Sequence, residues 1–152
     1  MKLSDKPDGR GHFVRSSIKE IKTTDPEFKE IAAKNYFHEE EMSETFADIC
    51  SSDTVKIYSA FFDGEVCGFA VVDKATRDVI TLLLLSVMES YRNRGIASAM
   101  LNYIVEQNKP RAVVCECTDD SLSFFEYYGF YAVTLGEKFP GKEAYYCTYR
   151  KV

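Results

Sequence analysis

The stretch "SVMESYRNRGIASAMLNYIV" (Ser86–Val105) joins an apolar, strand-like run to a helix-patterned segment with almost no residues between them. Upstream, Val79–Val87 is apolar at nearly every position, which predicts a central strand covered on both faces. Downstream, Ile96, Ala97, Met100, Leu101, Ile104 and Val105 recur at i, i+3 and i+4, which predicts a helix over Gly95–Asn108. Pro110 cannot continue it. A helix N-terminus carries unpaired N–H groups and about half a positive charge. A strand feeding straight into one therefore sets those donors at its own carboxyl end. Gly95 can take a backbone conformation closed to other residues and admits close approach of a ligand. Ala97 keeps the first turn slim, and Arg92 and Arg94 add charge. The group suits an anion with several oxygens, such as a pyrophosphate. It equally suits a solvated loop with a turn glycine. Neither standard phosphate signature, G-x-x-x-x-G-K-[ST] or a strand-borne G-x-G-x-x-G, is present.

Phe13–Ile21 alternates as a first strand, and "TTDPEF" opens a helix. Thr24 or Asp25 can cap it, Pro26 suits its first turn, and Glu27 completes a capping-box spacing from Thr24. Phe28, Ile31, Ala32 and Tyr36 follow at helical intervals, and "HEEEMSETFADIC" continues as a second helix with Met42, Phe46 and Ile49 inward. Val55–Phe62 and Glu65–Val72 flank Asp63-Gly64, a strong hairpin signal. After the central helix, "AVVCEC" reads as a strand, "TDD" as a cap, and Leu122–Tyr128 as a short helix stopped by Gly129. "FYAVTLG" and "EAYYCTYRK" are two further strands joined by "EKFPGK". The order is β-α-α-β-β-β-α-β-α-β-β.

The 152 residues suit one domain, 13–152, behind a lead-in at 1–12 whose Lys, Asp, Pro and Gly content reads as disordered. A net charge of −5 argues against nucleic acid as a partner. It favours a cationic small molecule or a basic peptide. The longest apolar run, Leu82–Leu85, is far short of a membrane span, and no secretory block stands at the N-terminus. Five cysteines without an export signal read as reduced, packed thiols of a cytoplasmic protein. Cys115 and Cys117 form C-x-C, with neither His12 nor His38 near in sequence, so no metal is expected.

The segment Val87–Ala97, "VMESYRNRGIA", resembles the acyl-CoA signature of the GNAT superfamily of N-acetyltransferases. That signature has a Val-ending strand, a short link with an aromatic residue, and then [RQ]-x-x-G-x-[GA]. Arg92, Gly95 and Ala97 fall on its defining positions and Tyr91 on the aromatic one. "TDDSLSFFEYYGF" (Thr118–Phe130) is similar to the family's second motif, with Phe124, Gly129 and Phe130 matching. Two motifs in order, with the hairpin and strand before them in place, extend the resemblance over roughly Val55–Phe130. It implies an α/β (α+β) fold with a mixed, mostly antiparallel sheet of about six to seven strands flanked by helices. It implies acetyl-CoA as co-substrate and a small-molecule, peptide or protein amine as acceptor, in a monomer or homodimer. Backbone groups of Leu85, Ser86 and Val87 would pair with the pantetheine arm. Amides of Arg92, Asn93, Arg94, Gly95, Ile96 and Ala97 would hold the pyrophosphate. Thr118 stands where the family often has a CoA-contacting Asn. Strands Val79–Val87 and Ala112–Cys117 would splay around the cofactor.

In the family, the amine attacks the thioester directly, and a Tyr four residues before the Gly of "GF" commonly protonates the departing thiolate. Here that position is Phe125. Tyr127 or Tyr128 could stand in, water could suffice because a thiol of pKa near ~8.5 leaves readily, or transfer could be slow or lost; the second is favoured. For a base, Glu116 is the candidate, at the strand parity of Thr118; a salt-bridged surface Glu is the alternative. Asp119 and Asp120 read as caps. Glu39–Glu41 and Glu44 could border an acceptor mouth, and Tyr145, Tyr146 and Tyr149 could shape one or simply pack on the sheet. The leading expectation is an acetyl-CoA-dependent N-acetyltransferase; the rival is a non-catalytic acyl-CoA-binding domain of the same fold.

Overall fold

The computed structural model describes residues 2–7, 13–33 and 48–150. Its elements are β1 (Lys2–Pro7), β2 (Phe13–Ile21), α1 (Pro26–Ala33), β3 (Val55–Phe62), β4 (Glu65–Asp73), β5 (Val79–Val87), α2 (Ile96–Asn108), β6 (Ala112–Thr118), α3 (Asp119–Tyr128), β7 (Tyr131–Phe139) and β8 (Lys142–Arg150). All eight strands lie in one sheet in the order β1-β2-β3-β4-β5-β6-β8-β7. Every neighbouring pair is antiparallel except β5–β6, whose parallel pairing needs the α2 crossover. The mixed, mostly antiparallel sheet matches expectation. The strand count does not, because Lys2–Pro7, assigned above to a disordered lead-in, pairs with β2 at the sheet edge. An edge strand needs only main-chain partners, so its charged composition carries no strand signal.

Asp63 (φ 49°) and Gly64 (φ 82°) make the primed turn of the β3–β4 hairpin. Helix α2 buries Met100, Leu101 and Ile104 against β3, β4 and β5, and α3 buries Phe125 on the same face, beside Cys115 and Cys147. On the opposite face, Phe28 of α1 packs on Ile21, Ile57, Phe69 and Val71. Asp25 precedes α1, but its carboxylate accepts from the Lys22 N–H (2.8 Å) and Glu27 pairs with Lys19 (3.0 Å), in place of the expected capping box. Residues 48–50 are helical; Cys50 is buried and Ile49, expected inward, is 42% exposed, because the inward position falls one residue later. Tyr36, Met42, Phe46 and the acids Glu39–Glu41 and Glu44 lie outside the described residues. Among the described residues, no helix is long and apolar enough to cross a membrane.

One irregularity in β5 shapes the cleft. The β4–β5 register slips between Val71↔Leu84 and Val72↔Leu82, leaving Leu83 as the extra residue of a bulge. A bulge bends its strand and increases its twist. On the other side of β5, pairing with β6 holds at Val79↔Ala112, Ile80↔Val113 and Thr81↔Val114, and stops there. Beyond Thr81 the two strands part. The expected burial of β5 on both faces therefore fails in its second half: Leu83 is 44% exposed and Leu84–Val87 are half-buried.

Candidate active site

The parted strands enclose a cleft of about 780 Å³, within the range of small-molecule sites. Leu82–Val87 form one wall and Cys115 and Glu116 the other. The α2 N-terminus and Phe124 and Phe125 of α3 also line it. Main-chain geometry decides which β5 groups face it. The Met88 N–H donates to the Cys67 carbonyl (2.9 Å), so by antiparallel alternation Val87 and Leu85 turn their N–H and C=O away from β4, and Ser86 turns its own toward β4. A methyl built on Gly68 of β4 would indeed lie 2.9 Å from the Ser86 carbonyl oxygen. Leu85 and Val87 thus offer main-chain donors and acceptors to the cleft, and the expected third member, Ser86, does not.

At the junction, a single 3₁₀ turn, Glu89–Tyr91, swings the chain from β5 toward α2. Tyr91 anchors it, its hydroxyl donating to Glu65 (3.1 Å) and its ring against Phe62. The two arginines divide. Arg92 Nε donates to the Val87 carbonyl (3.2 Å), bracing the strand end, and Arg92 lines the cleft. The Arg94 guanidinium instead lies over the rings of Phe62 (5.2 Å) and Tyr91 (5.5 Å) and is not among the lining residues. Asn93 (φ 64°) and Gly95 (φ 76°) adopt the left-handed conformation, which Asn tolerates and Gly takes freely. The first helical bond runs from the Ala99 N–H to the Gly95 carbonyl. Ile96, Ala97 and Ser98 therefore carry N–H groups with no acceptor inside the helix, and all three line the cleft.

On the far wall, Phe125 is 6% exposed, edge-on to Phe124 (5.2 Å) and Phe130 (5.1 Å), so an aromatic hydrocarbon occupies the position of the expected acid. Tyr128 is committed elsewhere, its hydroxyl donating to Asn102 (2.8 Å), while burial pushes that phenol up to about 12. Tyr127 lines the cleft but is 90% exposed. Thr118 is the N-cap residue of α3 and is not a lining residue. Asp119 and Asp120, read above as caps, sit in the first turn, where their charge favours the helix dipole. Their carboxylates accept from Tyr145 Oη (2.8 Å) and Lys142 Nζ (2.9 Å). Hydrogen bonding to Asp119 is the main cause that pushes Tyr145 up to about 12. Tyr149 packs on Tyr128 and Phe130, whereas Tyr146 is exposed. Glu116 does line the cleft, and Lys138 Nζ holds both its oxygens at 3.2 Å. Sequence reading missed Cys115, Ser98, Asp120, Ser121 and Phe124 as lining residues; the i, i+3 spacing of Ser121 and Phe124 on α3 was the available signal. Among the described residues, no group of His, Cys, Asp and Glu could hold a metal ion.

A mixed sheet whose one parallel pair splits beside a glycine-capped helix N-terminus is the acyl-CoA N-acyltransferase architecture. Residues 18–130 match the acetyltransferase (GNAT) family. The chain is 31% identical over 114 residues to an uncharacterized N-acetyltransferase of Staphylococcus epidermidis, a match covering 68% of this chain and 75% of that protein. It is similar in fold to a GNAT-family acetyltransferase from Desulfovibrio desulfuricans, with a TM-score of 0.73 at 15% identity, over 89% of this chain and 98% of that one. A GNAT-family acetyltransferase from Elizabethkingia anophelis, solved with acetyl-CoA bound, gives a TM-score of 0.66 at 14% identity over 90% and 98%. The chain belongs to the acetyltransferase (GNAT) family, and the enzymatic activity of that family is acetyl transfer from acetyl-CoA.

Proposed function

We propose that this protein transfers the acetyl group of acetyl-CoA to a primary amine by direct attack on the thioester. The observation that carries this reading is the continuous wall from the outward main-chain groups of Leu85 and Val87 to the bare amides of Ile96, Ala97 and Ser98. The amides, with Arg92 beside them, suit the pyrophosphate. Leu85 and the Val87 N–H suit the amide-bearing arm, and the Val87 carbonyl is already engaged by Arg92. Phe124 and Phe125 exclude water along the opposite wall. In this reading, the arm comes from the side of α2 and the amine from the opposite face, toward which Glu116 points.

An ordinary alkylammonium must lose a proton before it attacks, which costs about 4–5 kcal/mol at neutral pH. Glu116 is the acid on that face in place to accept the proton, once its pair with Lys138 opens. Surface pairs of this kind contribute only ~0–1 kcal/mol, so opening it is not prohibitive. With Phe125 at the far wall, the thiolate leaves without a phenol donor and takes its proton from water. The experiment is free-thiol release from acetyl-CoA against polyamines, amino acids, aminoglycosides and peptide N-termini, alongside thermal shift with acetyl-CoA. Binding at 100 times Kd stabilises by ~2.7 kcal/mol. Release with at least one amine is expected. A stabilising shift with no release would favour the non-catalytic binding domain, the reading that Phe125 supports. No shift at millimolar ligand would overturn both.

A further inference from the structure

The two acids of the cleft wall each already hold an amine from this same chain. Glu116 pairs with Lys138 (3.2 Å) and Asp120 with Lys142 (2.9 Å), both lysines supplied by the β7–β8 hairpin. The two pairs sit at different depths. Glu116 stands two residues past Val114, the last β6 residue paired to β5, and hence low in the split. Asp120 lies past the strand end, in the first turn of α3. Glu116 also has the opposite parity to Cys115 and Cys117, which pack on the α2 and α3 side. Lys138, which does not itself line the cleft, therefore reaches the lining Glu116 from the face away from the α2 amides. Its side chain is 46% exposed and the Glu116 side chain 57%, so the ammonium is held but not buried.

From this placement we infer that Lys138 is an internal acceptor, acetylated by the acetyl-CoA bound in its own cleft. The inference rests on the acetyl-transfer reading above. Glu116 takes a proton from the Lys138 ammonium, and the freed Nζ forms a C–N bond to the acetyl carbonyl carbon. The C–S bond breaks, the sulfur leaves with its electron pair as the CoA thiolate, the second proton of the acylated nitrogen passes through water to that thiolate, and the first leaves Glu116 to solvent. No oxidant or further reactant is required. The product is a neutral amide that can no longer pair with Glu116, so the modification releases this carboxylate on the face open to an incoming amine.

The test is incubation of the full chain with isotopically labelled acetyl-CoA, followed by peptide mass spectrometry of each lysine over time. Lys138 is expected to label first, about tenfold or more faster than Lys142 and the exposed Lys109, because proximity replaces a bimolecular encounter. The rate constant should not change with protein concentration, and Glu116→Gln should slow labelling of Lys138 more than that of Lys142 and Lys109. Even labelling across the lysines, faster labelling of Lys142, or Lys138 labelling no faster than in the guanidinium-unfolded chain would overturn the inference. Thiol release to added amines in the same preparation separates the two readings. Release with Lys138 unlabelled refutes self-acetylation and leaves the transferase standing; neither release nor label removes both.

Discussion

Replacing Gly95 by Ala tests the proposed anion site directly. Gly95 caps α2 at φ 76°, and a Cβ built there meets no protein atom within 4 Å. The substitution therefore has two separable effects. Within the protein it costs only the left-handed conformation, about 1–2 kcal/mol for a residue with a Cβ. With an unfolding entropy near 2.1 cal/mol/K per residue, the 152-residue chain should lose ~3–6 °C in Tm. Toward a ligand, the methyl stands at the cleft wall, where the pyrophosphate would meet the amides of Ile96, Ala97 and Ser98. Displacing one charge-assisted hydrogen bond costs about 1.5–3 kcal/mol, or roughly 10- to 150-fold in Kd. Gly64→Ala is the matched control: Gly64 has φ 82°, also meets nothing within 4 Å, and sits in the β3–β4 turn. Isothermal titration with acetyl-CoA should show weakened binding for Gly95→Ala and parental affinity for Gly64→Ala, with similar losses of Tm. Parental affinity in Gly95→Ala would refute the phosphate assignment. Equal weakening in both variants would show that backbone strain acts globally.

Gly68→Ala should cost about 1–3 kcal/mol, since its methyl would lie 2.9 Å from the Ser86 carbonyl and 3.0 Å from Met100 Cε, and only the latter can swing aside; denaturant unfolding within 0.5 kcal/mol of the parent, about the scatter of a neutral surface change, would contradict this packing. Phe125→Tyr places a hydroxyl among Phe124 and Phe130 and should lower stability by about 1–2 kcal/mol with little change in kcat; a rise of ~100-fold, the low end of general-acid catalysis, would show that thiolate protonation limits turnover. Tyr145, raised to about 12 by its hydrogen bond to Asp119, stabilises the fold in its protonated form. That stabilisation is complete below the ordinary phenol value near ~10 and is lost as pH rises through about 12. The Tm advantage of the parent over Tyr145→Phe should hold to pH ~9.5 and shrink above it; an advantage that persists unchanged at high pH would count against the bond.

Short-range features of this chain are written in its sequence because they depend on neighbours a few residues away. Asp63-Gly64 dictates a primed turn, the stripe from Ile96 to Val105 fixes the buried face of α2, and Gly95 marks where strand becomes helix and where amides stay bare. The missing phenol at Phe125 is equally local. Other features depend on strands that meet across long separations. The bulge at Leu83 exists only against Val71 and Val72, and it is this that turns a continuous apolar run into one wall of a cleft. The insertion of β8 between β6 and β7 brings Lys138 and Lys142 to Glu116 and Asp120, pairs 22 residues apart that no helical or strand period relates. Tertiary contact also separates two arginines that read alike in sequence, because Phe62 and Tyr91 offer their faces to Arg94 while the Val87 carbonyl takes Arg92. Local propensity set where the bare amides of α2 begin. Long-range pairing decided how wide the strands open, which main-chain groups face the gap, and which amines stand beside it.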